Sequence, residues 1–465
     1  MTSTPAHPAP TAFNWPLAYE AEAWCRRRIE AFLARNAAAR RLAADMAART
    51  GTDFYEWVDH FTAEPGDAAE LATLGLQPES VPAPDGRSIW HHPRAMMPRI
   101  ALVPGGTHAG APLRLAIRPE SVAEFSACHG LRGPIFGAEG ARLRRVIVAT
   151  ENEHEFNAVE RLAFRGFKVE EPPPGMAEAL RQTRVLWQAR REELGDDEAA
   201  GIRRAFEIQG EAIRLVGRDA AGELFFAAER RFWESRNAAG RLQKARQDRL
   251  GLGWGNHDHH TFRCSRPHFA DLIRFLLYFG FEKRERYYAG AEAGWGAQIS
   301  EHAATGITVF ADVDLLPEET EIDFSMQPLR AASRLGTVGL WCGLHGDSFL
   351  QAGMPHLGAR FDFAALRTQL ESNGVKTMKP FSDFAFLKQA FTVGERWKVA
   401  PARVERLRSE GLITAEQAEG FLRDGAIGSH LENLERKGGY KGFNQKSVSA
   451  IISATDPRTI GLSHA

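Results

Sequence analysis

Long apolar runs are missing from this chain, and nowhere does one approach the roughly 18 residues that a membrane-spanning helix requires. Cysteine is scarce. Cys25, Cys128, Cys264 and Cys342 are the whole set, and no two of them form a CxxC pair. That scatter excludes a disulfide framework or a zinc knuckle and fits ordinary thiols of a reducing compartment. An excess of charge of either sign is also lacking, with 58 Lys and Arg against 59 Asp and Glu. A nucleic-acid or anionic-membrane surface needs a basic excess, so neither is expected as a partner. The opening MTSTPAHPAPTAFNWP is polar and Pro-rich without the apolar core of a signal peptide, which makes a cytoplasmic location the expectation. With 44% apolar and 25% charged residues the composition is that of a globular protein, and 465 residues allow two or three domains.

After a loose arm over residues 1–15, helical spacing runs from Leu17 to Arg49, and DFYEWVDHF (53–61) continues it. The Pro- and Gly-punctuated stretch 78–112, with its paired His91 and His92, reads as loop. A small α/β unit follows: strand LRLAIR (113–118), a helix from PESVAEFSACHG, strand RLRRVIVAT (142–150), and ENEHEFNAVERLAFRGF, which reads as helical. Beyond the PPPG break at 172–175, Arg- and Glu-rich helices are expected to about residue 250. From Gly251 onward short β-rich runs alternate with amphipathic helices. The expected division is 1–112, helical with loops; 113–250, a small α/β unit with long helices; and 251–460, carrying a charged helical insertion at about 396–425.

Two segments of the last region share a local grammar. Each opens on His-x-x-x-Arg, His259 with Arg263 and His356 with Arg360, and continues into an amphipathic helix of about three turns. Each then passes a glycine, Gly280 or Gly374, into a strand-like stretch. The pattern reads as a β-α-β-β-β unit occurring twice. Residues four apart on a strand share a face, so two such walls closing on one another make a cup with one histidine from each. SHLENLER (429–436) offers a third ligand, Glu432 or Glu435. They face opposite sides of a strand, so only one points inward. His345 in GLHGDSF, read as a loop or strand edge, competes with His356, with Asp347 and Ser348 beside it. Two histidines and one carboxylate leave open positions on iron(II), although Mn, Co, Ni and Zn accept the same donors. His260 points away from His259, and His302 reads as structural. Gln389, Lys388 and Lys379 are candidate cavity residues. GGYKGFNQKS (438–447), with Tyr440, Lys441, Asn444 and Gln445, reads as either a lid or a tight connection.

Four stretches carry a family resemblance: DHHTFR (258–263); FLLYFGFEKRERY with WGAQISEH and ITVFADVDLLPEE; MPHLGAR with FAALRTQLESNGVK; and IGSHLENLER. In this order they resemble the 2-oxoadipate dioxygenase/decarboxylase (hydroxyglutarate synthase) family of the vicinal-oxygen-chelate superfamily, over about residues 230–460. The resemblance implies an α+β protein whose C-terminal paired βαβββ units form a metal-holding cup, behind an N-terminal helical and α/β region. It implies Fe(2+) held by His259, His356 and Glu432, with Arg263 as the catalytic residue that holds the substrate carboxylate. Arg360, Gln389, Lys388 and Asn444 are further substrate-binding candidates, and the partners are a small 2-oxo acid and dioxygen. The chain departs from the family pattern at Pro355, where plant relatives have Asn, and at the 396–425 insertion, and residues 1–230 resemble nothing recognised. The expected activity is oxygen-dependent decarboxylation of a 2-oxo dicarboxylic acid to a one-carbon-shorter 2-hydroxy acid. The alternatives are a redox-inert metal lyase, isomerase or hydrolase on the same cup, or a binding module without catalysis.

Overall fold

The computed structural model describes residues 14–103, 112–193, 197–291, 293–444 and 455–458. The first part contains helices α1 (Tyr19–Arg35) and α2 (Ala37–Thr50), strand β1 (Val58–Ala63), helix α3 (Ala68–Thr73) and strands β2 (Gln77–Pro78), β3 (Ser88–His91), β4 (Arg99–Leu102) and β5 (Leu113–Ile117). Helix α4 (Val122–Cys128) and the hairpin β6 (Leu143–Glu151) and β7 (His154–Arg161) complete it. The seven strands form one mixed sheet in the order β2-β3-β4-β1-β5-β7-β6.

Three expectations fail in this part. Residues 53–61 do not continue a helix. Asp53 accepts from the Tyr55 amide and closes a single turn over Phe54–Trp57, after which Val58 starts β1 between β4 and β5. Residues 151–167 are not helical either. Asn152 and Glu153 take φ of 47° and 61°, the paired left-handed geometry of a tight hairpin turn, and fold β7 back on β6. The stretch 78–112 is not all loop, since β3 and β4 lie within it.

Four long helices follow: α5 (Met176–Glu193), α6 (Glu198–Val216), α7 (Arg218–Ser235) and α8 (Ala238–Asp248). Next come β8 (His257–Arg263), α9 (Phe269–Tyr278), β9 (Glu282–Tyr288), β10 (Trp295–Glu301), β11 (Thr308–Asp314) and α10 (Thr337–His345). The chain continues through β12 (His356–Arg360), α11 (Phe363–Ser372), β13 (Ser382–Phe384), β14 (Leu387–Phe391), β15 (Glu395–Trp397), α12 (Pro401–Ser409), α13 (Ala415–Asp424) and β16 (Ala426–Arg436). These strands form a second mixed sheet in the order β13-β14-β16-β12-β8-β11-β10-β9, with β15 paired to β16.

The two halves of this sheet begin alike. Each opens strand, helix, strand, strand; β11 then closes the first half directly, whereas the second passes through β15, α12 and α13 before β16. In both the last strand returns parallel to the first: β11 beside β8, β16 beside β12. The halves join at an antiparallel β8–β12 seam. Helix α9 buries Phe269, Leu272, Ile273 and Leu276, the i, i+3, i+4, i+7 stripe of an amphipathic helix, and the chain leaves it through Gly280 at φ 92°. Helix α11 opens on an Asp362 cap to the Ala365 amide and is left through Gly374 at φ 79°.

One face of the second sheet carries α5 to α9 and α11. Phe262, Val309, Ala311, Leu357, Ala359 and Leu431 enter that core beside Trp187, Ile208, Phe225, Phe226, Leu272, Ile273 and Leu366. The first sheet has its own core, around Trp24, Met46, Phe61, Ile100, Leu115, Ile117 and Phe156. No helix among the described residues is long and apolar enough to cross a membrane.

Candidate metal centre

Strand alternation decides what lies on the far face of the second sheet. With Phe262, Val309, Ala311, Leu357 and Leu431 in the helical core, His259, Thr261, Arg263, Phe310, Asp312, His356 and Glu432 line a cavity of about 70 Å³ on the other side. His259 Nε2 lies 3.1 Å and His356 Nε2 3.4 Å from Glu432 Oε2. The three ligand atoms fall within 4.8 Å of one another, and this is the one group of potential metal ligands among the described residues. Each half of the sheet supplies one histidine.

A bulge builds the support of His259. Gly358 opposes His259 and Ala359 opposes His257, so Asp258 is an extra residue on β8. Its carboxylate sits beside its neighbour and bonds His259 Nδ1 at 2.9 Å, which orients the ring with Nε2 toward Glu432. Arg436 holds Asp258 in turn through two 2.9 Å bonds. Burial opposes ionisation of Asp258, but the Arg436 guanidinium and the His259 contact outweigh it and hold the carboxyl well below the usual range. Gly358 leaves room for the His259 ring, which lies where a Cβ would stand.

The donor set fits a divalent cation. Burial opposes protonation of His259, yet Glu432 and Asp258 push its pKa up to about 9. This is a position where carboxylates demand a positive charge. His356 is kept neutral, well below its ordinary value, by burial and by its neighbour His259. Gln389 donates to Glu432 Oε1 at 2.7 Å, leaving Oε2 toward both histidines. Thr261 Oγ1 lies 2.7 Å from His356 Nε2.

Arg263 is buried in the same cavity. Its backbone amide donates to Ser348 Oγ, its Nη2 reaches Thr455 Oγ1 at 3.4 Å, and its Nε has no hydrogen-bond partner among the described residues. Beside it, in register on β11, is Asp312. Burial pushes this carboxyl up to about 7, against the pull of Arg263 and His259. Tyr287, Trp295, Phe310, Phe381, Phe391 and Phe443 wall the space. Phe443 belongs to the 438–447 segment and packs edge-on against Tyr287 and Phe310. Of residues 438–444 it is Phe443 that lines the cavity, while Lys441 pairs with Glu301 away from it, and Gln445 lies outside the described residues.

Other candidates end elsewhere. Arg360 does not reach this cavity; it leaves the sheet to pair with Glu56 at 2.8 Å. Lys388 is half-exposed beside Glu435, on the side of β14 away from Gln389. Asn444 is buried and donates to the Phe381 carbonyl at 3.3 Å. Glu435 accepts from the Phe363 amide, and Lys379 is exposed. His345 is the last residue of α10, not a loop or strand edge, and its Nε2 is bonded to the Ile427 carbonyl at 3.1 Å. Asp347 holds Ser265 and His268. His260 is buried in the helical face against Phe226, and His302 bonds the Phe279 carbonyl.

Asp312 escaped sequence reasoning. The available signal was two carboxyls at alternate positions of the apolar strand TVFADVD, since buried charge needs a partner. Asp314 has three, the amides of Gly336, Val338 and Gly339 at the start of α10.

No protein-family model matches the chain, and no curated protein matches it. Among solved structures it is similar to a mutant 4-hydroxymandelate synthase from Streptomyces coelicolor, at 12% identity over 86% of this chain and 98% of that one, with a TM-score of 0.29. It is also similar to methylmalonyl-CoA epimerase from Mycobacterium tuberculosis, at 12% identity over 39% and 88% of the chains and a TM-score of 0.23. A third likeness is to the uncharacterized protein YdcJ from Shigella flexneri, which includes domain DUF1338, at 11% identity over 56% and 73% and a TM-score of 0.23. Similarity this low carries no argument about fold or activity, so the geometry alone bears the reading.

Proposed function

We propose that the chain is an iron(II)-dependent dioxygenase/decarboxylase that converts a 2-oxo dicarboxylic acid of the 2-oxoadipate kind to a 2-hydroxy acid one carbon shorter. On this reading the two halves of the second sheet are paired βαβββ units of the vicinal-oxygen-chelate type, and the enzyme works in the cytoplasm. The observation that carries it is the convergence of His259, His356 and Glu432 in one cavity with Arg263, whose Nε has no hydrogen-bond partner among the described residues. His259, His356 and Glu432 would hold iron(II), a donor set of two imidazoles and one carboxylate, and the metal would supply the oxygen activation that a 2-oxo acid requires. The atoms balance: the 2-oxo acid and O2 give CO2 and the shortened acid, with one oxygen of O2 in the new carboxylate and the other in the new hydroxyl.

The chain's own residues position the reactants. The planar fork of Arg263 matches the distal carboxylate of such an acid, and its burial strengthens the pairing. Gln389 fixes the orientation of Glu432, and Asp258 that of His259. Phe443 and the aromatic wall keep bulk water from the reacting carbon. The test is oxygen uptake with coupled CO2 release by iron-reconstituted protein across a panel of 2-oxo acids. Stoichiometric uptake and release with a dicarboxylic member is expected, and turnover without oxygen consumption overturns the reading.

A second reading has support from Asp312. A carboxyl poised near neutrality beside a metal cavity suits proton transfer by a redox-inert metal isomerase or lyase. Turnover that survives strict anaerobiosis would favour it.

A further inference from the structure

A larger cavity, of about 400 Å³, lies between the two sheets and shares no lining residue with the metal site. One wall comes from β1, the β3–β4 connection and Arg118. The other comes from Gly255, His257, the turn between β10 and β11, Arg360 and Lys441. Its size falls within the roughly 300–1,000 Å³ of small-molecule sites.

Its charges are unevenly matched. Arg360 and Lys441 each have a carboxylate at short range, Glu56 at 2.8 Å and Glu301 at 2.7 Å. Three further guanidiniums do not. Among the described residues Arg118 reaches only Glu223, at 3.4 Å and outside the cavity lining. Arg99 and Arg165 share Glu79, at 3.7 and 3.6 Å. Asp59, which also lines the space, lies 4.0 Å from Arg99 because Arg161 occupies both of its oxygens at 2.7 and 2.8 Å. Burial, with Arg161 and Arg165 nearby, pushes the Arg99 pKa down to about 10. The buried Nδ1 of His91, on the same wall, has no hydrogen-bond partner among the described residues.

We propose that this inter-sheet cavity is a binding site for a small oxyanion-bearing molecule, a phosphate or carboxylate, held by Arg99, Arg118 and Arg165. Arg99, Arg118 and Arg165 line one cavity with only long carboxylate contacts, and Arg99 also donates to the Arg165 carbonyl at 2.5 Å. Each guanidinium is a planar fork of the kind that recognises such groups, and a bound anion would supply the charge their neighbours do not. The site stands apart from the metal centre and does not depend on the activity proposed above.

Calorimetric titration of the metal-loaded protein with inorganic phosphate, and separately with succinate, tests it. Saturable binding of at least one probe is expected, weakened about tenfold or more in the double variant Arg118→Gln/Arg165→Gln. Both side chains are partly exposed, so the fold tolerates the change, and buried Arg99 is left intact. Glu432→Ala must leave the binding in place. The stronger probe identifies the oxyanion as phosphate or carboxylate. Absence of saturable binding, indifference to the arginine changes, or loss in Glu432→Ala would overturn the proposal.

Discussion

Arg263 and Arg360 each stand four residues after a histidine of the candidate metal site, in matching positions of the two halves of the second sheet, and they end in different cavities. Arg263 is buried in the metal cavity next to Asp312, whereas Arg360 pairs with Glu56 of the first part of the chain. The antiparallel β8–β12 seam explains the difference. Thr261 opposes His356 and Gly358 opposes His259, so four steps along β8 and four steps along β12 run toward opposite ends of the sheet. A repeat in sequence guarantees the same local geometry. It does not guarantee the same surroundings.

Substitutions in the two halves can break or sharpen this contrast. The largest effect is expected from Glu432→Ala, which should reduce bound metal by more than about 100-fold because it removes one of three ligands from a buried site. Glu435→Gln, three residues on and facing the other way, should leave metal content unchanged; elemental analysis of the two proteins checks both. Asp258→Asn keeps the shape but weakens the support of His259, and metal affinity should fall about 10- to 100-fold, as read by competition with a chelator. Arg263→Lys should raise KM for a 2-oxo dicarboxylate about tenfold through loss of the planar fork, while Arg360→Lys stays within about twofold in the same steady-state assay. The smallest effect belongs to Lys388→Ala. Its long contact with Glu435 at the surface is worth at most about 0.5 kcal/mol, so denaturant unfolding should barely shift.

How much of this was legible in the sequence follows from the range of the interactions. The two helix-to-strand passages could be read from local pattern, because the stripe of α9 and the glycines at 280 and 374 act within a few residues. His259 was carried by its own motif. The repeat and the resemblance favoured His356 over His345, and the fold spends His345 on the Ile427 carbonyl at a helix end. Alternation allowed just one of Glu432 and Glu435 to face inward without choosing between them; the family resemblance named Glu432, and it is Glu432 that lines the cavity.

The bulge at Asp258 was invisible, since an extra residue is defined by the partner strand and not by the sequence around it. Asp312 was missed for the same reason: its neighbour Arg263 is on another strand. The first sheet suffered most. The hairpin at Asn152–Glu153 joins the expected strand β6 to a segment whose charged residues mimic an amphipathic helix, and β1 follows an aromatic turn that imitates one. At β1 pairing partners distant in sequence overrode the local pattern, and at the hairpin the left-handed turn and the neighbouring strand did.

The most direct test of the centre built from both halves is iron content per chain after anaerobic reconstitution and desalting, in the parent protein, His259→Ala and His356→Ala. About one iron per chain in the parent is predicted, falling to background in both variants. Full retention of iron by either variant would contradict a site that needs one histidine from each half.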